Sequence, residues 1–74
     1  MSDIEIEIDK MLRHLSGKDD FTRETLLRHA EGLPLAAVAG IREAVSRKRV
    51  GVGYVVNALK NSHVRASNQT ERNQ

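Results

Sequence analysis

Apolar residues recur every three or four positions from Ile4 through Ile8, Met11 and Leu12 to Leu15, which predicts a first helix stopped by Gly17. Ile4, Ile6 and Ile8 also alternate with Glu5 and Glu7, as a strand would. The helix is preferred because the apolar stripe runs on to Leu15 and because Asp9 lies four residues before Arg13, an ion-pair spacing that only a helix brings together. Ser2 or Asp3 is placed to cap it, since a short oxygen-bearing side chain accepts from an otherwise orphaned N–H.

A polar turn at Lys18-Asp19-Asp20 separates this stripe from a second one made of Phe21, Leu26, Leu27 and Ala30. Asp20 or Thr22 is its expected cap, and Gly32 its end. A third helix is expected to open at Leu33-Pro34, where proline's missing N–H is not needed. Its inner face is Leu35, Val38, Ile41 or Arg42, and Val45. Ala36, Ala37, Ala39 and Gly40 admit a close neighbour, and Arg47, Lys48 and Arg49 complement the negative end of the helix dipole. Two glycines in Val50-Gly51-Val52-Gly53 interrupt the pattern. A short fourth helix follows, from Tyr54 to about Asn61, with Val55, Val56 and Leu59 apolar. Beyond Arg65 there is no large apolar residue, and a segment with nothing to bury is expected to be disordered. The fold expected is all-α: a compact bundle of three helices plus a short fourth, one domain over residues 1–63 and a disordered tail over 64–74.

At 74 residues the chain holds one small core. Its longest apolar run, residues 33–39, is far below the roughly 20 residues of a bilayer span. The acidic start is unlike a secretory leader, and Met1 with the polar tail suggests a complete chain. Without cysteine there is neither a disulfide framework nor a thiolate zinc site, and a cytoplasmic location is expected.

Charge adds an asymmetry that the net value of +2 conceals. Residues 1–31 carry eight carboxylates against five bases, a net −3, whereas residues 32–74 carry seven bases against Glu43 and Glu71, a net +5. A basic half supplies the counterion release that drives binding to polyanions.

Catalytic chemistry finds little footing. His14, His29 and His63 fall on separate elements without metal-ligand spacing, and Asp19-Asp20 is accounted for by capping. Gly51-Val52-Gly53 lacks the third glycine and the Lys-Ser/Thr ending of a phosphate loop. The reading is of a protein that is not an enzyme, with no cofactor, no metal, no small-molecule substrate and no membrane partner.

The second and third helices invite comparison with a helix-turn-helix, but Pro34, Leu35, Ala36, Ala37, Ala39 and Gly40 carry nothing that reads a base edge. Sequence leaves open whether this unit reads DNA or is a packing hairpin. The segment from Arg47 to Asn61 is more informative. Its Gly53, Tyr54, Val55, Asn57, Ala58, Leu59 and Lys60, following a basic helix end, resemble a stretch near the C-terminus of phage and plasmid replication proteins. The resemblance covers about a fifth of the chain. Gly51-Val52 stands where those proteins commonly have Asn-Pro, and no catalytic residue carries over. It implies a mobile-element protein engaged in replication or another DNA transaction.

The candidate nucleic-acid-binding residues are therefore Arg42, Arg47, Lys48, Arg49, Tyr54, Asn57 and Lys60. The bases are suited to phosphates, Tyr54 to stacking on an exposed base, and Asn57 and Lys60 to continuing its line along the helix. The competing expectation is a protein-interaction module, either a homodimer or a phage-type inhibitor docking on a host protein. The acidic first helix and basic second half would favour such association through steering and register.

Overall fold

The computed structural model describes the backbone of residues 2–72 and the side chains of residues 2–67. Among the described residues the protein is an all-α domain of four helices: α1 (Asp3–Leu12), α2 (Thr22–Ala30), α3 (Leu35–Arg47) and α4 (Val52–Arg72). Two short strands, β1 (Leu15–Ser16) and β2 (Val50–Gly51), pair in parallel, with Leu15 opposite Val50 and Ser16 opposite Gly51. α1 packs on α2 and α3, and α4 packs on the same two helices, so the buried faces of all four meet in one core. Ile8 and Met11, Leu26 and Ala30, Val38 and Val45, and Val55 and Leu59 are its paired contributions from the successive helices; Leu15 and Leu33 close it from the connections.

Helix α1 opens with a capping box. The Glu5 N–H donates to the Ser2 hydroxyl (3.2 Å) and the Ser2 N–H to the Glu5 carboxylate (3.1 Å), so Ser2, not Asp3, is the cap. The helix then ends earlier than its apolar stripe suggests. The Lys18 ammonium donates to the Leu12 carbonyl at 2.6 Å, giving the exposed C-terminal end its partner, and Leu15 leaves the helix to pair with Val50. Leu15 is still buried, but through a strand rather than a fourth helical turn. Gly17, at φ +74°, supplies the left-handed step that lets the chain turn after β1.

At the start of α2 neither Asp20 nor Thr22 is the cap. Phe21 holds the N-cap position without a side-chain cap bond, and Asp19 and Thr22 bond each other across the turn before it. The Asp19 carboxylate accepts from the Phe21 N–H (2.8 Å) and from the Thr22 hydroxyl (3.1 Å), and that hydroxyl accepts from the Asp19 N–H (2.8 Å). Asp20 takes no part in these bonds. Phe21 sits at the turn and is 70% exposed instead of lining the buried side. Gly32, at φ +85°, ends the α2 connection as expected.

In α3, Val38 and Val45 are buried and Ile41 and Arg42 are half-buried, but Leu35 is 42% exposed and borders a surface cleft with Asp3, Ile6, Glu7 and Lys10 of α1. The small residues of α3 do not receive a closely packed neighbour along their whole length: Gly40 has no atom within 4 Å of where a Cβ would lie. The fourth helix begins two residues earlier than expected and is 21 residues long. With no glycine or proline after Gly53 to stop it, its backbone stays helical through Arg72, across the stretch expected to lack order; the described side chains at 63–67 are exposed. Residues 73 and 74 of that expected tail lie outside the described residues. No described helix is long and apolar enough to cross a membrane.

Candidate nucleic-acid interface

The parallel pairing of β1 with β2 decides which bases become neighbours. It sets the turn that carries Arg13 and His14 beside the end of α3, and these two residues line a surface cleft of about 320 Å³ together with Val45, Ser46, Arg47, Lys48 and Arg49. Among the described residues no carboxylate lines this cleft. Lys48 and Arg49 are exposed and, among the described residues, have no carboxylate partner. Arg47 donates to Glu43 one turn back in α3 at 3.0 Å, but both side chains are largely in water, so this pair is weak and easily exchanged.

The acidic first helix does not oppose this end, because three of its carboxylates are engaged elsewhere. Arg23 on α2 donates to Asp9 (2.8 Å) and to Glu5 (3.3 Å); Asp9 thus pairs across helices and not with Arg13, its expected partner. The hydrogen bond and charge of Asp9, then those of Glu5, hold the Arg23 pKa above its ordinary value. The Glu5 carboxyl is held below its own, first by the Ser2 N–H, then by the Ser2 hydroxyl and the Arg23 guanidinium. Glu7 faces α3, where it accepts from Arg42 at 3.2 Å and lies 3.7 Å from Lys10. Arg42 therefore does not join the basic cleft: its side chain ties α3 to α1.

Tyr54, Asn57 and Lys60 are exposed on α4, yet they do not form one line. Tyr54 and Asn57 border a cleft of about 260 Å³ with Ile41, Ala58, Asn61, Ser62 and Arg65. Lys60 is absent from it, since six residues at about 100° each leave it about 120° around the helix from Tyr54. The residues that follow Tyr54 on its face are Ala58, Asn61 and Arg65, at helical spacings of four, seven and eleven. Tyr54, 55% exposed, also borders a larger groove of about 450 Å³ between α3 and α4.

Of the sequence candidates, Arg47, Lys48 and Arg49 line the cleft at the end of α3, and Tyr54 borders the clefts beside α4. Arg13, His14, Asn61 and Arg65 line these same clefts and are not among the sequence candidates. The first two lie more than thirty residues from their neighbours in the cleft, and no local pattern announces a two-residue parallel pairing. The spacing of Arg65 from Tyr54 returns it to the same helix face, but the sequence pattern places it in the expected tail. Among the histidines, the His63 Nε2–H donates to the His29 carbonyl at 2.8 Å, binding α4 to α2. No group of three or more metal-ligating side chains converges among the described residues. No family model, curated protein or solved structure matches the chain.

Proposed function

We propose that this protein is a small DNA-binding accessory protein that grips the phosphate backbone with the end of the domain where Arg13, His14, Arg47, Lys48 and Arg49 meet. One observation carries the proposal: the β1–β2 pairing gathers bases from two distant segments around a cleft that, among the described residues, no carboxylate lines. Phosphate contacts need cations on an open surface rather than a deep pocket, and they carry no base information, so binding is expected to be insensitive to sequence. The exposed face of α3, with Ala36, Gly40 and Ala44, offers nothing to a major-groove base edge, which favours a packing hairpin over a helix-turn-helix reader. The reading includes a cytoplasmic setting, a binding rather than a catalytic role, and a place in the replication of a phage or other mobile element, the context implied by the resemblance over residues 47–61.

The test is a titration of the folded protein with duplex and single-stranded DNA at low and moderate salt. Binding that weakens steeply as salt rises is the expected result. Absence of binding at low salt would reject the proposal and leave a protein partner, met through the apolar α3–α4 groove, as the better reading.

A further inference from the structure

The groove between α3 and α4 has a chemistry distinct from that of the basic end. Its walls are small or apolar, with Pro34, Ala37, Gly40, Ile41 and Ala44 from the α3 side. The ring of Tyr54 stands beside it, more than half exposed and not spent on the core. The adjoining cleft adds two amides, Asn57 and Asn61, on the same side of α4. Among the described residues Arg65 is the one charged residue lining either space, and no carboxylate lines either.

We propose that this groove takes an unpaired base of single-stranded DNA, stacked on Tyr54, while Arg65 holds a phosphate further along the same strand. The inference rests on the DNA-binding reading above and deepens it from phosphate contact to strand selectivity. An aromatic face presents the same attraction to every base, so stacking is tolerant of sequence. Amides supply both donors and acceptors, which suits the edge of a base whatever its identity. The guanidinium answers the charge that a nucleotide carries and that an aliphatic protein side chain lacks. Tyr54 and Arg65 are eleven residues apart on one face, about 16 Å along the axis. That is longer than one nucleotide, so the two serve separate positions on a strand, with further nucleotides between them. A duplex cannot use the groove, because its bases are already stacked on both faces. Tyr54 also follows Arg49 closely in the chain, so a strand held at the basic end is delivered toward it.

The chain contains one tyrosine and no tryptophan, so its intrinsic emission reports Tyr54 alone. Short oligo(dT), an abasic strand of equal length and a duplex are titrated at low salt, with binding followed by anisotropy and Tyr54 by fluorescence corrected for absorption. Oligo(dT) should quench the emission in step with binding. The abasic strand and the duplex should bind without quenching. Tyr54→Ala should weaken oligo(dT) binding about 5- to 150-fold and leave duplex binding unchanged, while Tyr54→Phe, which keeps the ring, should bind like the parent. Because Tyr54 is largely exposed, these variants should fold, and far-UV circular dichroism checks that they do. Saturable oligo(dT) binding with unaltered emission, or a folded Tyr54→Ala variant of parental affinity, would overturn the groove while leaving the phosphate reading in place. Failure to bind any of the three DNAs would overturn both.

Discussion

Neutralising Lys48 and Arg49 together, as Lys48→Gln with Arg49→Gln, changes the basic end without touching the core. Counting the Arg and Lys side chains that line the cleft gives Arg13, Arg47, Lys48 and Arg49. If each meets one phosphate of duplex DNA, the logarithm of affinity falls with the logarithm of salt at a slope of about −3.6. Raising salt from about 50 to 200 mM should then weaken the parent roughly 150-fold. With two contacts gone the slope becomes about −1.8 and the same salt step costs only about 12-fold. Anisotropy titrations against two duplexes of unrelated sequence measure both quantities, and the loss should be equal for the two. The variant also loses a favourable interaction with the α3 dipole, about 0.3–1 kcal/mol, so its thermal midpoint is read alongside. A folded variant with parental affinity and slope would show that the basic residues are only a solvated helix end. A loss confined to one of the two sequences would refute the phosphate reading in favour of base contacts.

Three stability predictions follow from the packing. Arg42→Met leaves Glu7, whose side chain is 12% exposed, with Lys10 at 3.7 Å as its remaining partner. The loss should lie between those of surface and buried pairs, about 2 kcal/mol, and changing Glu7 to Leu as well should recover most of it; an Arg42→Met midpoint equal to the parent's would refute the account. Val38 is completely buried, so Val38→Asp places an unpaired carboxylate in the core and should abolish cooperative unfolding as followed by circular dichroism; a variant that stays folded but changes oligomeric state would place Val38 in an interface instead. The lowered Glu5 pKa means that its ionised form is stabilised by folding. That contribution is present above the unfolded-chain value, near about 4.3, and is lost as pH falls through the lower folded value. In urea titrations from neutral to acid pH, the advantage of the parent over Glu5→Gln should therefore shrink below about pH 4. A difference independent of pH would rule out the capping box and Arg23 as its source.

Local signals made much of the helical architecture legible. A serine followed three residues later by a glutamate, the 3.6-residue recurrence of Ile8 and Met11 or Val38 and Val45, proline before α3 and glycine after α2 all act within a turn or two of the chain, so sequence alone determined these features. What depended on distant partners stayed hidden. Leu15 satisfies the helical spacing equally well, yet Lys18 takes the Leu12 carbonyl and Val50 pairs with Leu15, and neither choice can be read from the stripe. Asp9 has an equally plausible local partner in Arg13, but Arg23 reaches it from the facing helix. Arg42 carries the same charge as Arg49, and only the position of Glu7 on α1 removes one from the candidate interface and leaves the other exposed. Charge is a property of the residue, whereas its availability belongs to the packing: a base whose carboxylate lies on another helix is spent in the fold, and a base with none nearby remains open to a phosphate.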